Sequence, residues 1–398
     1  MDILWNVFEC NPTVKLKKWK FYPLIDIDSI QIWYKYPIEK EKVEYTWQSA
    51  SKFQEWDTIM ARITPCLENG KLWMVKTDAE WCIWSTELFV FRWKEWKSIN
   101  EYVYYFMKQD WVRNYSANSM TWASWRQRAD LKFIKKLKFD FPTIEKQETI
   151  ANILSKYDDQ IENNNKRIKK LEEIIEEIYK ERFIRFRFPW YKDCKIENRI
   201  PSWWEIKRVK DFWDVVTWKT PSTSKDYYYW DEYLFVKTPD MHDNIFVIAT
   251  DEMLSSKWSN SQKACLLPIN SIMVSCIWTW WVVAINKKPW HTNQQINSVK
   301  LYDENKLYWL YMTLKWMKET ITMFWNTWAT MTNLSKWKFE RLKLIKPTNE
   351  IIYSFNNITK CLFDEIYKLQ ESNVRLIKQR DLLLPRLMSW KLEVKSIE

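Results

Sequence analysis

Two short polar runs, Arg126-Gln127-Arg128 and Asn293-Gln294-Gln295, hold side-chain types that can read the edges of nucleic-acid bases. Arg forks onto guanine and Asn or Gln onto adenine, and a good bidentate pair gives about 1–3 kcal/mol of discrimination. Around them lie Ser, Thr, Asn and Lys in turn-like strings. These are Ser51, Lys52 and Lys71 early in the chain, Lys219, Thr220, Ser222, Thr223 and Lys225 in the middle, and Thr330, Asn333 and Lys336 late. Such groups hold phosphate oxygens and set register on a duplex without reading sequence. Plainer readings stand beside these. Residues 293–295 can be a polar cap that satisfies strand ends, and Arg62 reads as a structural ion pair within a strand.

The charge balance suits a polyanionic partner. Lys and Arg number 62 against 51 acids, a net charge of +11, and an excess of that size favours nucleic acid over an acidic or neutral surface. Chemistry of the chain's own is poorly provided for. None of the 13 prolines adjoins another, so there is no Asn/Asp-Pro-Pro-aromatic segment of the kind an amino-methyltransferase uses to grip a flipped base. No GxxxxGK[ST] phosphate loop appears. His242 and His291, the only two histidines, sit in no nucleophile or metal constellation and read as ordinary loop residues. Seven cysteines without a CxxC pair argue against a disulfide framework or a zinc site and fit a reducing cytoplasm. Carboxylates such as Glu172-Glu173 and Glu176-Glu177 read as a solvated helix face. Asp2 and Glu9 interrupt any apolar leader. The uncharged stretch Ala264 to Asn286 contains Pro268 and Asn270, so buried strands are expected there rather than a membrane span.

One anomaly runs through the composition. The chain has a single glycine, Gly70, and 30 tryptophans, where roughly 28 glycines would be usual at this length. Turns need left-handed backbone that glycine adopts most easily. Tryptophan stands where turn chemistry wants glycine, as in Thr217-Trp218-Lys219-Thr220-Pro221, Tyr229-Trp230-Asp231 and Ile277-Trp278-Thr279-Trp280-Trp281. The pattern is what a UGA codon read as glycine in the cell, but translated as tryptophan, would produce. Both residues are uncharged, so the charge argument holds either way.

The elements that must position the polar runs follow from periodicity. Ile150, Leu154, Tyr157, Ile161, Asn164, Ile168, Leu171, Ile175 and Ile178 step by four and three, a heptad seam predicting a helix from about Lys146 to Phe183. It would be on the order of 50 Å long. A second seam, Phe355, Ile358, Leu362, Leu369, Asn373, Leu376, Leu383 and Leu387, predicts a helix from about Ile351 to Met388, with Pro385 bending or ending it. Each seam carries one central Asn, and a lone polar seam residue commonly fixes register. The two helices are therefore expected to pair through Ile161, Asn164, Ile168, Leu171, Leu369, Asn373 and Leu376. Before each helix lies a segment of short Ile-, Val-, Phe- and Tyr-rich runs between turn-like clusters, which reads as α+β. The halves repeat. Thr121-Trp122-Ala123 matches Thr327-Trp328-Ala329, Lys132-Phe133 matches Lys338-Phe339, and Asp57-Thr58-Ile59-Met60 resembles Asn270-Ser271-Ile272-Met273. The expected division is a domain at 1–145, a helix at 146–187, a second domain at 188–348, and a helix with a tail at 349–398. Two similar modules on antiparallel helices would be related by a pseudo-twofold axis.

Several strings in order resemble the specificity subunits of type I restriction-modification systems. They are SKFQEWDTIMARITPCLENGKLWMV at 51–75, MTWASWRQRADLKFI at 120–134 and LSKYDDQIENNNKRIKKLEEIIEEIYKERF at 154–183. The second half adds IPSWWEIKRVKDF at 200–212, TWKTPSTSKDYYYWDEYLFVKTPDM at 217–241 and IWTWWVVAINKKPWHTNQQINSV at 277–299. NTWATMTNLSKWKFERLKL at 326–344 and LLPRLMSWKLEV at 383–394 complete the set. Trp203 falls in a family glycine place and Trp204 in a family tryptophan place. The resemblance implies two DNA target-recognition domains alternating with two long helices that pair as an antiparallel coiled-coil spacer. It implies a non-catalytic subunit that reads a bipartite, asymmetric site in double-stranded DNA. Two methyltransferase subunits and restriction subunits would be its partners, with AdoMet and ATP/Mg on those partners and no cofactor on this chain. A coiled-coil scaffold without a DNA role is the alternative. A fused nuclease or methyltransferase, and an orphan specificity subunit serving alternative recognition by recombination, are further readings.

Overall fold

A computed structural model describes the chain outside residues 26–33, 38–41, 47–50, 78, 80, 85, 123–126, 198, 218–227, 277–280, 326–333, 390 and 393–398. The chain divides into two compact units, Met1–Asn163 with Arg375–Glu398, and Asn164–Val374.

In the first unit a four-stranded antiparallel sheet runs in the order Phe8–Cys10, Leu88–Trp93, Thr58–Ala61, Leu72–Met74. Successive side chains of a strand point to opposite faces, and both faces here are apolar. Ile59, Ala61, Trp73 and Val90 join one cluster with Phe53 and Cys82. Met60, Leu72, Met74, Phe89 and Phe91 join another with helix α1 (Asn100–Lys108), which buries Tyr102 through Met107. A strand wet on one face would need polar residues at every second position; this one has almost none.

The second unit repeats the plan. Asp214–Thr217, Ile296–Lys300, Ile272–Ser275 and Val283–Asn286 lie side by side in that order, and Phe246–Val247 adds a parallel fifth strand. Alternation again splits the side chains. Ile272, Val274, Val283, Ile285 and Val299 enter one cluster, and Met273, Ala284 and Ile296 the other. Strand for strand, the first four match the sheet of the first unit. The matched segments Asp57-Thr58-Ile59-Met60 and Asn270-Ser271-Ile272-Met273 lead into equivalent central strands. Each sheet is followed by a helix, by a short helix carrying the repeated Lys-Phe pair (Leu131–Ile134 or Lys336–Glu340), and by a short strand (Lys138–Phe139 or Lys343–Lys346). That strand pairs antiparallel with the start of its own domain, Asp2–Ile3 or Glu205–Arg208. The Thr-Trp-Ala copies fall wholly or partly outside the described residues. The uncharged stretch from Ala264 yields the buried strands Ile272–Ser275 and Val283–Asn286, and no described helix is long and apolar enough to cross a membrane.

The helix α2 (Ile144–Tyr179) continues into a π-helical turn at Lys180–Ile184, and α3 spans Asn349–Met388. Pro385 lies inside α3 rather than ending it, and the helix closes three residues later. The two pair antiparallel. In the second unit Asn164 bonds Asn373 and Arg167 bonds Glu365. In the first, Ile150 and Leu154 share a cluster with Leu384, Leu387 and Met388. The heptad seam is realised with two changes. Asp158, not Tyr157, occupies the buried place between Leu154 and Ile161, and Ile358 is 45% exposed while Thr359 and Phe363 are buried. Of the residues expected to pair, Ile161, Asn164, Ile168, Leu369 and Asn373 are buried, and Leu171 and Leu376 half-buried.

Candidate nucleic-acid interface

At one end of the first sheet the chain turns out of Thr58–Ala61 at Arg62, and this turn gathers several polar groups. Strand Gln127–Arg128 docks against it. The Thr64 and Gln127 backbones bond, and Ala129 N–H donates to the Arg62 carbonyl. Arg128 is held by Glu87 through Nε and Nη2, at 3.1 and 2.7 Å. Its fork is therefore occupied in the chain alone. Among the described residues the ion pair expected for Arg62 is not formed. Glu87, whose carbonyl accepts from the Arg62 N–H, gives its carboxylate to Arg128 instead. Arg62 rests over the Phe89 ring at 5.2 Å, and its buried Nε has no partner among the described residues. Arg62 as a whole is half-buried, and its guanidinium beside Gln127 and Arg128 is a base-reading candidate that sequence reasoning missed; the signal was its place one residue beyond an apolar strand.

Two further groups line the same unit. Ser51 Oγ donates to the Leu88 carbonyl at 3.1 Å, and the Lys52 ammonium lies 5.1 Å from the Tyr45 ring centre. Both border an open groove with Asn11, Pro12, Thr13 and Val14. Lys71 follows Gly70, whose φ of +70° closes a tight loop, and shares a small cleft with Lys108 and Arg113. Burial, together with the charge of Arg380, pushes the Lys108 ammonium down to about 8. Arg126 lies outside the described residues.

In the second unit two of residues 293–295 are hydrogen-bonded within the chain. Asn293 Oδ1 accepts from the Gln295 N–H at 3.0 Å, and Thr238 Oγ1 donates to Gln295 Oε1. These bonds knit the turn between His291–Thr292 and Ile296–Lys300. Gln294 at its tip is exposed. Lys336 opens its short helix, exposed, within 3.6 Å of Glu340. Lys219, Thr220, Ser222, Thr223, Lys225, Thr330 and Asn333 lie outside the described residues. His242 is an exposed loop residue, but His291 is a buried strand residue bonded to Ser259 at 2.9 Å, and burial lowers its pKa to about 4. Among the described residues no group of three or more His, Cys, Asp or Glu is placed to hold a metal ion.

A polar network ties the first domain to the helix pair. Arg380 Nη1 and Tyr105 Oη both reach Asp158, each at 2.5 Å, and Asp158 and Arg380 are each 1% exposed at the side chain. Burial and the Asp158 charge hold the Tyr105 hydroxyl well above its ordinary range.

Comparison with known proteins agrees with this layout. The family model for the type I restriction modification DNA specificity domain matches twice, at residues 35–173 and 201–368. The type I restriction enzyme HindI specificity subunit of Haemophilus influenzae is 38% identical over 194 residues, which are 48% of this chain and 42% of that relative's length. The MjaIX specificity subunit of Methanocaldococcus jannaschii is 26% identical over 311 residues, 75% of this chain and 70% of that one. The crystal structure of the S subunit of a type I system from M. genitalium superposes with a TM-score of 0.50 at 13% identity, covering 97% of this chain and 95% of that one.

Proposed function

Because the chain belongs to the family of type I restriction-modification DNA specificity domains, we propose that it reads a bipartite, asymmetric site in double-stranded DNA and positions methyltransferase subunits there. The observation that carries this reading is the strand-for-strand duplication. Two domains share one scaffold but differ in the polar groups at its ends, as a reader of two unlike half-sites would. Arg62, Gln127 and Arg128 serve the first half-site and Gln294 the second, with Arg126 joining on residue type. Ser51, Lys52, Lys71 and Lys336 hold phosphates, as do Lys219, Thr220, Ser222, Thr223, Lys225, Thr330 and Asn333 by type. Asn293 and Gln295 shape the turn that presents Gln294.

Arg128 must exchange Glu87 for a base edge. Loss of the Glu87 pair goes uncompensated on a wrong sequence and is offset only by the right one, which favours discrimination over raw affinity. In this reading the chain contributes no catalytic group. Two methyltransferase subunits bring AdoMet and restriction subunits bring ATP and Mg; the net charge of +11 makes binding by the chain alone salt-sensitive, and tight specific binding needs the methyltransferase subunits to close around the duplex.

Long-read methylation sequencing of the source genome tests this. A bipartite N6-methyladenine motif with a fixed gap, lost on disruption of the gene, is expected. A methylome unchanged by disruption overturns the reading and leaves the scaffold role.

A further inference from the structure

Ten non-glycine residues among those described have positive φ, and five of them are tryptophans: Trp19, Trp56, Trp96, Trp190 and Trp281, at 59 to 67°. A bulky side chain in this region is a true outlier, because its Cβ crowds the following carbonyl. Three of the five occupy the same place in the same kind of turn. Asp57 N–H bonds the Gln54 carbonyl at 3.2 Å with Trp56 third of four; Lys97 bonds Lys94 at 3.0 Å with Trp96 third; Tyr191 bonds Phe188 at 3.1 Å with Trp190 third. The second residues, Glu55, Glu95 and Pro189, are not left-handed. A turn with only its third residue at positive φ is type II, and that position calls for glycine, with proline favoured just before it. Phe188-Pro189-Trp190-Tyr191 therefore has the pattern of a Pro-Gly turn with an indole in the glycine place.

Three of these side chains do not compensate by packing, while Trp281, at 2% exposed, and the half-buried Trp56 stand with them on backbone geometry alone. Trp96 is 87% exposed, Trp19 66% and Trp190 58%. Trp204 behaves differently: it is buried among Phe183, Phe186 and Phe188 and is not left-handed. We infer that Trp19, Trp56, Trp96, Trp190 and Trp281 stand where the living protein carries glycine, their codon being read as glycine in its own cell, whereas Trp204 is a true tryptophan. The inference is independent of the DNA-reading role, since it rests on backbone geometry alone.

Peptide mass spectrometry of the protein isolated from its source decides it. Glycine at positions 19, 56, 96, 190 and 281, with tryptophan at 204, is the expected result; tryptophan at 56, 96 and 190 overturns it. A second experiment uses a synthetic gene in the standard code that writes the chain as printed. Trp96→Gly and Trp190→Gly should each raise Tm by several degrees, whereas Trp96→Ala and Trp190→Ala, which remove the indole but keep the Cβ, should not. Equal gains from Ala and Gly would show that the indole, not the left-handed backbone, is the misfit, and would overturn the inference.

Discussion

Asn164 donates its side-chain amide to Asn373 at 2.8 Å, and Asn373 in turn donates to Asn165 at 2.7 Å. Asn164 and Asn373 are almost wholly buried. An amide pair in an otherwise apolar seam stabilises little but penalises every slipped register, because a slip leaves buried amides without partners. Asn164→Leu alone should therefore cost about 1–3 kcal/mol. The double change Asn164→Leu with Asn373→Leu should recover much of that loss. A coupling energy near zero in a double-mutant cycle of denaturant unfolding would show that the pair does not interact.

The Asp158–Arg380 pair should behave more severely. Removing one partner leaves a buried charge, so Asp158→Ala or Arg380→Ala should cost about 3–5 kcal/mol. Replacing both, as Asp158→Leu with Arg380→Met, should be far milder than either single change. Equilibrium unfolding of the full chain reads the difference, and additivity of the two single losses would refute the account.

Contacts with DNA should divide into two classes. Arg62→Ala should leave the fold intact, cost about 1–3 kcal/mol on the cognate site, and relax preference at one position. Lys52→Ala should weaken binding equally on all sequences and reduce the slope of log affinity against log salt by about one. Gel shifts of the reconstituted complex over a salt series, on matched and scrambled duplexes, separate the classes.

His291 predicts a pH response. Its folded pKa of about 4 lies below the ordinary 6.5, so the unfolded chain binds the extra proton between those values. The stability that depends on neutral His291 is complete above pH 6.5 and falls away toward pH 4, by an amount on the order of 3 kcal/mol. Asp240 acts in the opposite sense. Burial raises its carboxyl to about 6, so its ionisation lowers stability as pH rises from about 4 to 6 and partly masks the His291 effect. His291→Gln should flatten the acid limb of Tm against pH, and an unchanged limb would count against this assignment.

The duplication and the pairing asparagines were legible in the sequence because both rest on local repetition: a heptad step, or a string seen twice. The seam is not legible where it carries charge. Hydrophobicity favours Tyr157 over Asp158 because an acid is not expected in a core, and only Arg380 and Tyr105, distant in the chain, make its burial tolerable. Hydrophobicity likewise points Ile358 inward, although Phe355, Thr359 and Phe363 set the buried stripe. In the candidate interface, residue type found Arg128 but could not show that Glu87, 41 positions away, occupies it. The same reasoning gave Arg62 a partner that Arg128 takes.

The first unit is assembled from both ends of the chain, Met1–Asn163 and Arg375–Glu398. On a ribosome adding about 5–20 residues per second, the intervening segment takes roughly 10–40 s to emerge. Throughout that interval Asp158 lacks Arg380, and Ile150 and Leu154 lack Leu384 and Leu387. The segment made first is thus the one completed last. A ribosome that stops before Arg380 does more than shorten the product: it leaves the opening domain with an exposed apolar flank and an unpaired acid.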